Sequence, residues 1–141
     1  MQELRNYIKQ VEIFPVAEID TATNGSSIDT HDSESQGYNF DTVLVRAGVG
    51  ELGIDIASVK VKVEESDTTN FVSSQTARGG DEVTVEEDGT ATFQVERSKR
   101  YIRVVMTPVE ADSPSETPGE DTALVYATAI MTNWAVPMPI L

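Results

Sequence analysis

Apolar and polar residues alternate along much of this chain, most sharply in VKVKVEESD, residues 59–67. Val59, Val61 and Val63 fall on one side of an extended segment and Lys60, Lys62 and Glu64 on the other, which predicts a strand with one dry and one wet face. The same period recurs elsewhere. In YIKQVEIFPVAEID (7–20), Val11 and Ile13 oppose Glu12 and Phe14, and Pro15, which has no N–H to donate to a ladder, predicts a sheet edge or a strand end. YNFDTVLVRAG (38–48) predicts a β-branched strand closed by Gly48 and Gly50, and GIDIASVKVKVEESD (53–67) predicts the longest strand. A short strand is expected around Phe71 in TTNFVSS.

TARGGDE (76–82) has turn chemistry, with Gly79-Gly80 supplying positive φ. EVTVEEDGTATFQVE (82–96) reads as a hairpin about Glu87-Asp88-Gly89, the Asp-Gly step being the strongest local turn signal. In KRYIRVVMTPVEA (99–111), Ile102, Val104 and Met106 share one face, and Tyr101, Arg103 and Val105 the other. Residues 124–134 are apolar at most positions, which predicts a strand buried on both faces. Residues 21–37 predict a long structureless loop, an uncommon feature of a compact domain, and 112–121 a second, acidic and exposed one. Residues 1–10 leave room for an N-terminal arm, while Pro137 and Pro139 predict an extended tail over 135–141. About eight strands at short spacing, with no helical period and no repeat, predict an all-β chain. The expected fold is a β-sandwich of jelly-roll type, in a single domain spanning 1–141.

Composition narrows the chemistry. The chain is 39% hydrophobic and 24% charged, as a globular protein is. It has no cysteine, so disulfides, thiolate metal ligands and cysteine nucleophiles are excluded. No apolar run approaches the ~20 residues of a membrane span, and MQELRNYIKQ lacks the apolar stretch of a signal peptide. The expectation is a product of the cytoplasm with no membrane partner. Its net charge of −14, from 24 acids and 10 bases, opposes binding to nucleic acid. No base lies between Lys9 and Arg46 or after Arg103, whereas Arg97, Lys99, Arg100 and Arg103 stand close together. This basic cluster either balances acids of its own chain or meets acidic surface on a neighbouring copy or another protein.

No catalytic or metal signature emerges. His31, the single histidine, sits among Ser27, Asp29, Asp32 and Ser33 in a polar loop with little to fix a triad. One histidine and no cysteine argue against zinc. DTHDSE lacks the order of a calcium loop, and EEDG suits a turn better. Neighbouring acids such as Glu64 and Glu65 point to opposite faces of a strand and cannot flank one bond. The expectation is a protein without catalytic residues, cofactor or metal.

Four segments in order carry a resemblance: FDTVLVRAG, the VKVEESD strand running on to Phe71, SKRYIRVVMTP, and the apolar last strand ending NWAVPMPIL. Over residues 38–141 the chain resembles the small jelly-roll cement or decoration proteins of tailed-bacteriophage capsids; residues 1–37 take no part in the likeness. The resemblance implies a non-enzymatic virion protein that binds the major capsid protein on the outer capsid surface. It also implies a homo-oligomer, with a trimer favoured by the family's habits and a dimer as the other option. Val136, Met138, Ile140 and Leu141 give the tail apolar side chains to dock on a neighbouring copy or on the capsid, or to fold back onto the chain's own core. Two other readings remain open at this point. One is another virion component, such as a head–tail joining or tail protein. The other is a carbohydrate-binding β-sandwich, which needs exposed aromatics in a groove and has Trp134 and a few Tyr and Phe to supply them.

Overall fold

The computed structural model describes residues 8–32, 38–112 and 121–132. Among these residues there are twelve strands and no helix. They are β1 (Ile8–Ile19), β2 (Thr23–Asn24), β3 (Ile28–Asp29), β4 (His31–Asp32), β5 (Tyr38–Asn39), β6 (Thr42–Leu52), β7 (Ile56–Ser66), β8 (Gln75–Thr76), β9 (Val83–Val85), β10 (Thr90–Glu96), β11 (Tyr101–Glu110) and β12 (Ala123–Thr132). One sheet has the order β1-β12-β6-β10. In the other, β11 pairs with β7; β2 and β3 share the far side of β11, and β8 and β9 share the far side of β7. β4 and β5 form a separate two-residue pair.

Counted as lanes rather than segments, each sheet is four strands wide and every pairing is antiparallel. The chain changes sheet at every step between lanes except from β7 to β8. That is the winding of a jelly roll; its lanes number eight, as the turn spacing predicts, but one of them, β2 with β3, comes from the 21–37 segment, and no strand forms at Phe71.

The core lies between the sheets and is built by alternation. Val59, Val61 and Val63 of β7 face Ile102, Val104 and Met106 of β11 along one sheet, and Val43, Val45 and Ala47 face Val125, Ala127 and Ala129 along the other; all are fully buried. At roughly 2 kcal/mol per fully buried aliphatic side chain, these rows outweigh any single polar contact in the molecule.

Several expectations need correction. Of the two options that Pro15 leaves for β1, the structure takes the sheet edge and not the strand end: β1 runs on to Ile19, with register shifts between Glu12 and Phe14 and between Phe14 and Ala17. The first shift rotates Phe14 inward beside Ile13 rather than opposite it, and the second accommodates Pro15. β6 passes through Gly48 and Gly50 instead of ending there. Gly48 is required because the Tyr126 ring of the next strand lies on it: a Cβ would come within 2.1 Å of Cζ. Residues 82–96 are not a hairpin, since β9 pairs with β7 and β10 with β6 in opposite sheets. Asp88, at φ 58°, carries the chain from one sheet to the other, and the turn is tied by Gly89 N–H to Glu86 O at 2.9 Å.

Phe71 is not in a strand but in a turn with φ 52°, and its ring is buried. Of the Gly79-Gly80 pair, only Gly79 has positive φ. The described part of the 21–37 segment is not structureless. Ile28 and Thr30 are buried, β2 and β3 line β11, and Gly25 N–H and Thr30 N–H reach Val104 O and Arg100 O at 2.7 and 2.9 Å. Most of the loop expected at 112–121 lies outside the described residues, as does the N-terminal arm up to residue 7.

Candidate interaction surfaces

Each sheet has one outward face, and the two faces differ in charge. On the β11–β7 face, Arg103 stands opposite Glu64 in register and donates to its Oε1 from Nε at 3.0 Å and Nη2 at 2.9 Å. Lys62 reaches the other oxygen of Glu64 at 3.1 Å. Burial is the strongest single influence on the Glu64 carboxyl and would raise its pKa, but hydrogen bonds from Arg103 and Lys62 and their charges together hold it below the usual range. The Arg103 guanidinium also covers the Phe71 ring, 4.3 Å from its centroid.

The basic cluster of the sequence is brought together here, and each member meets an acid of its own chain. Arg100 holds Asp29 in a two-pronged pair at 2.9 and 2.8 Å, so that Arg100's hydrogen bond depresses the Asp29 pKa. Lys99 lies 3.2 Å from Asp67. Arg97 donates to Phe40 O at 2.9 Å and lies 3.8 Å from Asp41. Between these pairs runs the loop 97–99, and its anchor is Glu65, which is 1% exposed. The Glu65 carboxylate accepts from Ser98 N–H at 2.9 Å, Lys99 N–H at 3.2 Å, Gln75 Nε2 at 2.7 Å and the Ser98 hydroxyl. Burial pushes this carboxyl up, yet the four hydrogen bonds outweigh it and hold the pKa below its ordinary value. Glu65 was missed as a structural residue, although it continues the dry phase of Val59, Val61 and Val63 along the strand.

The outward face of the β1-β12-β6-β10 sheet is different. Along β12 the outward residues are Leu124, Tyr126, Thr128, Ile130 and Thr132, half-buried or exposed; the sheet leaves open a face that the apolar run 124–134 predicts to be covered. In register, Ile130 stands beside Leu44 and Thr128 beside Arg46. On the other side of β12, Glu12 stands beside Thr128. Among the described residues, Arg46 is exposed and has no side-chain partner, while every other described base has one. Next to Tyr126, on the β1 side, lies an open hollow of about 470 Å³ lined by Gln10, Glu12, Phe14, Val16 and Thr128. Ile8 and Val16 are exposed along the same edge strand.

Val136, Met138, Ile140 and Leu141 of the predicted tail, and Trp134, lie outside the described residues. Among the described residues no three His, Asp or Glu side chains gather where a metal ion could be held. His31 lies in β4, and its backbone N–H donates to Asp29 Oδ1 at 2.9 Å.

No protein-family model matches the chain, and the comparison with curated proteins found no match. Solved structures do match. The SPBc2 prophage-derived protein YomS aligns over 94% of this chain and 99% of its own at 10% identity, with a TM-score of 0.50. A chain from the structure of infectious bursal disease virus, Gx strain, aligns over 96% of this chain at 8% identity, with a TM-score of 0.55; this chain covers 35% of it. PirA aligns more loosely, over 94% of this chain at 10% identity, with a TM-score of 0.44. The jelly-roll fold is therefore shared with a prophage-derived protein along that protein's whole length and with part of a viral protein.

Proposed function

We propose that this chain is a non-enzymatic structural protein of a virus particle. Within that class, we read it as a cement or decoration protein of a tailed phage. It would be made in the host cytoplasm and would sit on the outer surface of the major capsid protein lattice, stabilising the head by burying surface across neighbouring subunits. The observation that carries this reading is the sorting of charge between the two outward faces. In a molecule of net charge −14, one face spends its bases on its own acids, and the other is left open and apolar along β12, with Glu12, Glu18, Arg46 and Glu96 on the strands around it. A rigid sandwich with one such face is built to rest on another protein surface. The acidic remainder keeps it off packaged nucleic acid. Its fold, shared with a prophage-derived protein and with a chain from a virus structure, supports the same reading.

Quantitative mass spectrometry of purified particles tests it. A copy number that scales with the capsid lattice is expected, together with loss and rebinding of the chain on heads stripped by mild denaturant. Absence from the particle would sink the reading, and a copy number matching a single portal ring would move the protein to the head–tail joint.

A further inference from the structure

We propose that the open face of the β1-β12-β6-β10 sheet packs against the same face of a second copy, about a two-fold axis that runs along β12. This names what meets the face on which the structural-protein reading rests, and it rests on that reading of the face as a contact surface.

The register of the sheet supplies the first argument. Glu12 and Arg46 stand on either side of Thr128, each one strand away, so about 10 Å separates their backbones. Neither side chain has a partner among the described residues. A two-fold axis along β12 exchanges the two sides of that strand. It therefore lays Arg46 over Glu12 of the second copy, and Glu12 over its Arg46. Two ion pairs form at once, as an isologous interface requires. Among the described residues, this places the one base without a partner and an acid without one at equal offsets from one strand.

Shape gives the second argument. Tyr126 leans off β12 towards β6 and rests on Gly48, and the hollow lined by Phe14 and Val16 opens on the opposite, β1 side. The same axis carries each Tyr126 ring across to the partner's hollow. Knob and hollow are thus complementary under the operation that pairs the charges. Ile130 comes to lie over Ile130 of the second copy, which covers the apolar part of β12.

The area such a contact covers is small. An axis along β12, the second of four strands, brings β1, β12 and β6 over their counterparts and leaves β10 outside. Three strands about 4.8 Å apart, with lengths of roughly 30 Å, present roughly 430 Å². Two such faces bury about 860 Å², the size of a weak, reversible contact. Sheets packed face to face keep their strands within about 30° of one another, so the β12 strands stay nearly aligned through the contact.

Sedimentation velocity on the full chain, over a range of concentrations and at low and moderate salt, tests the pairing. The wild-type chain is expected to dimerise. Arg46→Glu and Glu12→Arg each set like charges against one another and should weaken the dimer by about tenfold or more, whereas the double variant E12R/R46E restores opposite charges and should recover to within about threefold of wild type. Tyr126→Ser, which empties the hollow without touching charge, should weaken the dimer as well. Each variant is first matched to wild type in its circular dichroism spectrum.

A wild-type monomer, a wild-type trimer, or a double variant that stays as weak as the singles overturns the proposal. Particle incorporation is read separately. A chain found in particles but monomeric keeps the structural role and removes this pairing; a dimer absent from particles does the reverse.

Discussion

Glu65 occupies a position where the alternation of β7 would otherwise put a fourth valine. Its carboxylate instead ties together Ser98, Lys99 and Gln75, and so joins the 97–99 loop to the sheet and to β8. Glu65→Gln keeps the shape but turns an amide N–H₂ towards groups that are themselves donors. The cost should be about 2–4 kcal/mol at neutral pH, read as a shift in the urea midpoint. The pH dependence has a definite sign. The folded-state pKa lies below the unfolded value of about 4.3, so the carboxylate's contribution is complete above that value and is lost as pH falls through the folded pKa. Wild type and Glu65→Gln should therefore converge in stability on acidification. Glu64 and Asp29, also depressed, steepen the same acid limb in both proteins. A gap between the two that stays constant down to strongly acid pH would show that the carboxylate charge is not what holds the loop.

At the scale of elements, the turn between β9 and β10 shows what local pattern can and cannot convey. Two alternating runs around Asp-Gly look like a hairpin because the residue chemistry of a tight turn is the same whether the strands it joins lie in one sheet or two. The turn residues were legible; the pairing partners were not, because they lie in β7 and β6, far away in sequence. Asp88 sits at φ 58°, where a β-branched residue is strained. Asp88→Val should cost about 1–2 kcal/mol and Asp88→Gly close to nothing, measured by equilibrium unfolding. Equal losses would mean that the Asp side chain, rather than its backbone conformation, matters. The 21–37 segment looks structureless in sequence for a related reason. Strands of two residues carry no period, and only the lone Ile28 amid polar neighbours hinted that the segment is pinned to β11. The long strands were legible from alternation alone, except where the β1 bulges reset the phase at Phe14.

For the whole molecule, charge was legible as a total but not as an arrangement. The bases at 97–103 look like a patch in sequence, yet their partners Asp29, Asp41, Glu64 and Asp67 come from three other stretches of chain. Arg46 is a single base in an apolar strand, and its significance depends on register with β1 and β12. Much of the net charge of −14 has no compensating base, so the folded state repels itself. Raising salt shortens the Debye length from about 30 Å at 0.01 M to about 8 Å at 0.15 M. This should screen the distributed repulsion more than the short pairs and raise the melting temperature by about 2–5 °C, read by calorimetry. A fall in melting temperature would mean that the close pairs dominate.

The pairing of the first long strand with the last has a mechanical consequence. Ile8 lies opposite Thr132, so the beginning of β1 and the end of β12 meet at one corner of the sheet. Force applied at Ile8 and Thr132 opens this ladder like a zipper, one hydrogen bond at a time, and yields at low load. Force applied between Ile19 and Thr132 instead shears the ladder along its length, with all its bonds sharing the strain. A protein wired in this way resists tension poorly through its ends and well along its strands, so any load it carries is best transmitted through the faces of its sheets.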